Sequence, residues 1–232
     1  MKRLIYSYLS ENIIERYLQL KKLLLLKSGT TEEIFTKIYR KNHWKSRESA
    51  SGSGSHLEQT AQLRSGLKAL FNTKEIKSIL DIPCGDFNWM REVDLKGIDY
   101  CGADIVEDLI VLNRKKYEKK KHVRFEVLDI IKDKLPKCDL IISRDCFVHL
   151  SNREIHLAIE NVKASGSKYL LTTTFTNRKL NYNTITGHWR TLNLELKPFN
   201  FQKPILLIEE GCTQNKGKFL DKAMGLWKVN SL

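Results

Sequence analysis

Residues 79–90 read ILDIPCGDFNWM. An apolar run over 78–82 meets Pro83 and then a single glycine, Gly85. Aliphatic residues that stop at proline and glycine form the pattern of a buried strand entering a tight loop. A nucleotide-binding loop normally carries two or three glycines here, so the stretch taken alone reads as an ordinary turn.

The chain beyond it changes that reading. Strands are expected at 78–82, 100–103, 123–128, 140–143 and 169–175. Helical segments are expected between them at 88–93, 106–117 and 153–164. Such βαβ alternation predicts a parallel sheet with helices on both faces. Two further strands, 205–209 and 219–229, are joined by a Gly/Asn/Lys-rich connection and read as a hairpin. Polar residues close the first four runs: Asp81, Asp104, Asp129 and Ser143-Arg144-Asp145. Asp104 stands roughly 20 residues beyond Asp81, which sets a carboxylate beside the ribose of a nucleotide held over the first loop. Asp129 closes the next strand, where it meets the adenine edge. Open α/β sheets bind ligands at these carboxyl ends.

In that order, ILDIPCGDF, GADI, VLDI and CDLIISRDCFVHLS resemble a class I S-adenosylmethionine-dependent methyltransferase over residues 77–175, and more weakly through the hairpin. The glycine-rich loop of that family has glycine where this chain has Pro83 and Phe87; an Asp-x-Pro-Cys-Gly variant also occurs in it. The resemblance implies a Rossmann-like, seven-stranded, mostly parallel sheet with helices on both faces and an antiparallel C-terminal hairpin. It implies S-adenosyl-L-methionine as cofactor and no metal. It places Asp81, Pro83, Cys84 and Gly85 at the methionine end, Asp104 and Ile105 at the ribose, and Asp129 and Ile130 by adenine. Ser143 and Arg144 complete that set.

Asp145 and His149 are four apart in RDCFVHLS. If the segment is a helical turn, both point the same way. His149 has a suitable intrinsic pKa for a general base, with Asp145 as its companion. The alternative is that His149 caps a turn or packs under the next helix, whose start is marked by Ser151 and Glu154. His43, His56 and His188 also fall near expected loops. The polar stretch 176–203 is the expected acceptor-binding insert. Trp189, Phe199 and Phe201 offer ring faces there. Arg190 offers a guanidinium for a carboxylate or phosphate, and Asn177, Asn181 and Asn183 offer amides. His43 and Trp44 join them from the entry segment. The alternative is a covering loop that buries its aromatics as packing.

The chain has 232 residues, a formal charge of +13 and 29% charged residues. That is a soluble globular composition with an anionic partner in view. The densest basic run, 114–121, reads as the solvated end of a helix. Five cysteines without a CxxC pair read as reduced thiols, which with the absence of a signal peptide leads to a cytoplasmic expectation. Residues 1–72 are expected to be an N-terminal helical extension with a covering loop, and 73–232 the catalytic domain. Leucine-rich helices are expected within 3–27, and a peripheral membrane contact through them is left open. Residues 32–41 continue helically. The Ser-Gly run SASGSGSH reads either as a linker or as an anion-holding loop, with Ser53 or Ser55 capping a helix that begins near Leu57.

The entry segment and insert are similar to bacterial methyltransferases encoded with surface-polysaccharide genes. This resemblance implies a small-molecule or glycan acceptor, neutral or anionic, methylated on a sugar or sugar-phosphate hydroxyl, and no stable nucleic-acid partner. The alternatives are an RNA methyltransferase, an amino-group acceptor, or a non-catalytic cofactor-binding scaffold. Against RNA, Ser143-Arg144-Asp145-Cys146 stands where an Asn/Asp-Pro-Pro-aromatic loop would be expected.

Overall fold

Strand β1, Ser78–Asp81, lies at the centre of a seven-stranded sheet. The structure, a computed structural model, describes residues 29–232; the helices expected within 3–27 lie outside the described residues. The other strands are β2 (Asp99–Asp104), β3 (Val123–Val127), β4 (Leu140–Ser143), β5 (Tyr169–Phe175), β6 (Leu206–Glu209) and β7 (Lys222–Lys228). Their order is β3-β2-β1-β4-β5-β7-β6. The first five pair in parallel, and β7 runs antiparallel between β5 and β6. The order reverses between β1 and β4, so a crevice opens above the carboxyl ends of those two strands.

The strand period of two splits the core. Leu80 and Ile82 face one layer, with Ile155, Ala158, Ile159 and Val162 of helix α4 (Asn152–Ala164). Ile79 faces the other, with Leu63, Leu67 and Leu70 of α2 (Ala61–Lys74) and Ile110 of α3 (Glu107–Lys116). Helix α1 (Thr31–Arg40) lies over the crevice. A capping box starts α4, with the Ser151 N–H donating to Glu154 Oε2 at 2.8 Å and Glu154 N–H returning to Ser151 Oγ at 3.3 Å.

Local readings fail in three places. The segment 88–93 forms only a 3₁₀ turn at Met90–Glu92. Its Trp89, Met90 and Val93 are all buried, so their apolar spacing reflects a core loop rather than one face of a helix. Helix α2 begins at Ala61 after Thr60, and neither Ser53 nor Ser55 caps it. The Thr60 hydroxyl instead donates to the His56 carbonyl at 2.9 Å. In the insert, Phe199 and Phe201 are buried beside Leu192 and Leu194, and Phe201 meets Trp227 with ring centres 5.3 Å apart. These two rings are packing and are not open to a ligand.

Phe87 has no exposed surface and a left-handed φ of 57°. Its ring lies 4.9 Å from Tyr117, 5.2 Å from Tyr100 and 5.3 Å from Phe125. Phe87→Ala should therefore destabilise the fold by about 3–5 kcal/mol. Denaturant unfolding measures this, and a loss below ~1 kcal/mol would mean that the cluster collapses to fill the space.

Candidate active site

The loop after β1 keeps pairing with both neighbouring strands. Ile82 N–H donates to the Ile142 carbonyl at 2.8 Å, and Cys84 N–H to the Ala103 carbonyl at 2.7 Å. Gly85 then turns left-handed at φ 54°. Its N–H donates to Asp104 Oδ2 at 3.0 Å, and its carbonyl accepts from Asn113 Nδ2 of α3 at 2.7 Å. A Cβ at Gly85 would stand 1.9 Å from Ser51 Oγ and 3.1 Å from Ser51 Cβ, so a side chain there would displace Ser51 in addition to the strain of the left-handed φ.

That run is a tied cover. Ser49 Oγ and Ala50 N–H donate to the two oxygens of Asp86 at 2.9 and 2.8 Å. Asn88 Nδ2 donates to the Ser55 carbonyl at 3.0 Å, and Arg144 Nη2 to the Gly54 carbonyl at 2.9 Å. The linker reading is thereby replaced.

Two compartments lie under this cover. The first is lined by Pro83, Cys84, Gly85, Asp104, Ile105, Asp129, Ile130, Arg144 and Cys146, with Phe35 and Tyr39 of α1 above. The second is lined by Gly52, Ser53, Gly54, His56, Gln59, Phe175, Trp189, Thr213, Gln214, Asn215, Phe219 and Lys222. Trp44, Ser51, Asp145 and His149 line both.

The strand-end carboxylates differ in their tasks. Asp104 accepts from Gly85 N–H and, through Oδ1, from Val106 N–H at 3.0 Å. Burial pushes its pKa up to about 6, against those two bonds. A carboxylate holds about four lone-pair sites, so acceptor capacity remains for ligand hydroxyls. Asp129 accepts from Ile131 N–H at 2.8 Å, and burial raises its pKa too. Asp81 lies beneath the crevice rather than lining it. The Tyr100 hydroxyl donates to its Oδ2 at 2.6 Å, and burial raises it to about 7. Ser143 is likewise buried below the floor.

At the junction, Asp145 has a left-handed φ of 53°. Its N–H donates to Thr173 Oγ1 at 2.8 Å, and its Oδ2 accepts from Lys222 Nζ at 2.6 Å. Burial alone would raise its pKa, but Lys222 and Arg144 outweigh that and hold it well below the carboxylate range. Arg144 is in turn paired with Glu210, at 2.5 Å from Nη2 to Oε2, and Lys222 lies 3.3 Å from the same oxygen. His149 packs against Trp44 with ring centres 5.6 Å apart and against Phe35 at 6.5 Å. Burial pushes its pKa down to about 4, against the opposing pull of Asp145. Asp145 Oδ1 and His149 Nδ1 are buried without a hydrogen-bond partner among the described residues. Unpaired polar atoms in such a cleft fit a bound ligand that supplies the missing partner.

The remaining expected residues divide. Trp44 and Trp189 line the second compartment. His43 and Asn177 line neither compartment. Arg190 is a staple. Its guanidinium donates to the carbonyls of Tyr182, Phe147 and Val148 and to Asn152 Oδ1, so it is not open to an anionic acceptor. Asn181 and Asn183 are spent on backbone bonds. Sequence reasoning missed Asp86, Asn113, Glu210 and Lys222. Only the antiparallel register, with Glu210 N–H donating to the Lys222 carbonyl at 3.1 Å, brings the last two to the cleft.

A family model described as "Methyltransferase domain" matches residues 55–203. No curated protein matches the chain. Among solved structures, human N-acetylserotonin methyltransferase in complex with SAM is similar at 15% identity and a TM-score of 0.56, covering 86% of this chain and 60% of that one. Magnesium protoporphyrin IX methyltransferase from Synechocystis PCC 6803 with bound SAH is similar at 15% identity and a TM-score of 0.48, covering 62% and 72%. The methyltransferase domain of bacterial CtHen1 is similar at 11% identity and a TM-score of 0.43, covering 50% of this chain and 66% of that one. The chain thus spans less than two thirds of the CtHen1 domain and of the human enzyme.

The lowered pKa of His149 carries a stability consequence. Between about 4 in the fold and the ordinary 6.5 when unfolded, the unfolded state binds the extra proton, so this contribution is lost as pH falls through that window. Replacing the imidazole by a neutral amide removes it. The unfolding free energy of wild type relative to His149→Gln should decline on acidification from pH 7 to 4, by on the order of 1–3 kcal/mol. Urea unfolding of both proteins across that range measures the difference, and a pH-independent difference would refute it.

Proposed function

The chain belongs to the methyltransferase domain family and is an S-adenosylmethionine-dependent methyltransferase, and on that premise we propose that it O-methylates a hydroxyl of an uncharged sugar or a related small molecule. One observation carries the choice: the composition of the second compartment. Trp189 presents a 45% exposed ring there, with Phe219 and Phe175 against it at 4.9 and 6.0 Å between ring centres. Around it stand Ser53, Gln59, Thr213, Gln214 and Asn215, which are neutral donors and acceptors. Its lysine, Lys222, is paired with Asp145 and Glu210, and His56 stands 3.8 Å from Glu48. A ring face with neutral polar groups suits a hydroxylated ring better than a phosphate or carboxylate, which would need an unpaired cation.

The same composition speaks against RNA. The run Lys119-Lys120-Lys121 is exposed beyond α3 and lines neither compartment. No helix among the described residues is long and apolar enough to cross a membrane.

In this reading, Asp104 receives the ribose hydroxyls, Asp129 the adenine side, and the backbone at Pro83 to Gly85 the methionine end. The cofactor supplies an already activated methyl group. The chain's task is then alignment, which can account for about 7–11 kcal/mol of barrier. Trp44 and Trp189 place the acceptor beside the junction. His149 Nδ1, buried and unpaired at the junction, would accept the proton that the acceptor hydroxyl gives up as it takes the methyl group. Burial lowers the His149 pKa to about 4, so the ring is unprotonated at neutral pH and is a weaker base than a free imidazole.

Two outcomes test this. Asp104→Ala should weaken S-adenosylmethionine binding by about 1–3 kcal/mol, the range for bonds to a charged group. Wild-type affinity should fall as pH drops below about 6, because protonation removes acceptor capacity. Calorimetry showing unchanged affinity in a folded Asp104→Ala would remove this assignment. For the acceptor, transfer of labelled methyl from S-adenosylmethionine should mark neutral glycan or sugar-containing fractions. Trp189→Ala should raise KM for that fraction by about tenfold, the scale of one ring-stacking contact, with cofactor affinity unchanged. Label in RNA alone would replace this reading.

A further inference from the structure

Arg144, Lys222 and Glu210 are buried and, with the partly exposed Asp145, form a set of two cations and two anions with no net charge. Asp145 is the member at the junction, and only its Oδ2 is used by that set. That oxygen meets Lys222 Nζ at 2.6 Å and Arg144 Nη1 at 3.3 Å. Oδ1 is buried and without a partner among the described residues, in a residue that lines both compartments. The Thr173 bond fixes the backbone, and the Lys222 and Arg144 contacts at Oδ2 fix the side chain. The groups facing this carboxylate are Arg144 from the end of β4, Lys222 from β7, Glu210 from beyond β6, and His149 from the next turn. Both cations are committed to anions, and His149 is neutral. Oδ1 is therefore the anionic atom in the junction with capacity left for a ligand of positive charge.

We propose that Asp145 is the counter-charge for the cofactor's sulfonium centre, that Lys222 and Arg144 are positioning residues that hold its carboxylate, and that Glu210 holds those two cations in place. The inference rests on the S-adenosylmethionine-dependence assigned above. Its physical content is a preference. S-adenosylmethionine and S-adenosylhomocysteine share the adenosine and amino-acid ends and differ at sulfur by one methyl group and one positive charge. Contacts at Asp104 and Asp129 act on both alike, so the ratio of their affinities isolates the field at sulfur. Such a field also favours release of the neutral product.

The test is calorimetric titration of wild type, Asp145→Asn, Lys222→Met and Lys222→Arg with each of the two ligands between pH 5 and 8. Asparagine is isosteric with aspartate and tolerates the left-handed conformation. Asp145→Asn should shift the affinity ratio toward S-adenosylhomocysteine by about tenfold, the scale of one screened charge contact, with S-adenosylhomocysteine affinity nearly unchanged. In Lys222→Met, burial is no longer opposed by that cation, and Asp145 should titrate within the assay range. The ratio should then fall as pH falls, where in wild type it stays flat. Lys222→Arg should restore the flat profile. A ratio unchanged in Asp145→Asn, or an equal loss of both affinities without pH dependence in Lys222→Met, would make the network structural and overturn the proposal. Failure of wild type to bind either ligand would instead overturn the cofactor assignment itself.

Discussion

The site depends on how one peptide unit is gripped. Gly85 is held from both sides, its N–H by Asp104 and its carbonyl by Asn113. Ser51 presses on the third side, where a Cβ would be. Three elements therefore meet at one glycine: the end of β2, helix α3 and the covering loop. Each of the two hydrogen bonds satisfies a buried polar group that would otherwise cost about 1–3 kcal/mol. The same contacts bring the ribose-side carboxylate, the first loop and the cover to fixed mutual distances.

Charge is partitioned in a way that composition conceals. The chain carries +13, yet Arg144 and Lys222, the cations nearest the junction, are each paired with buried anions. Burying Arg144, Lys222 and Glu210 carries a large desolvation cost and is weak evidence for stability, because apolar replacements often do as well. Retaining such a set is better understood through what it holds in place. Here it holds a carboxylate ionised in a cleft where Asp81 and Asp104, without a cation in contact, are both raised by burial. Neighbouring acids on adjacent strand ends thus take opposite protonation tendencies, the usual sign of a chemically differentiated site.

The legible part of the sequence was the part written in local rules. Hydrophobic runs ending in Asp104, Asp129 and Ser143 mark strand ends because the parallel sheet buries whole strands and leaves polar residues at the rim. Ser151 and Glu154 mark a helix start because the capping box is a four-residue geometry. The illegible part was written in distant pairings. Glu210 and Lys222 lie on either side of a long turn and meet only through β-sheet register. Arg190, next to an exposed tryptophan, has the look of a ligand contact. Its guanidinium instead makes four hydrogen bonds, three to backbone carbonyls and one to Asn152 Oδ1, that no sequence pattern announces. The segment 88–93 has helical apolar spacing, but its apolar side chains Trp89, Met90 and Val93 are all buried in the core.

Phe87 shows how a chain can leave the glycine-rich pattern and keep the loop. A left-handed backbone costs a residue with a Cβ about 1–2 kcal/mol. Glycine avoids that cost and brings no packing. Full burial of a phenylalanine contributes about 1.5–3 kcal/mol, and each favourable aromatic pair adds about 0.5–1.5 kcal/mol. Phe87 has three ring neighbours, so its gain exceeds the strain. The rings it meets come from β2, β3 and the end of α3, which are the elements that carry Asp104 and Asn113 to Gly85. The substitution therefore ties the loop to the very elements that grip the glycine. The position is held by aromatic packing below the loop, where glycine would hold it by backbone freedom alone.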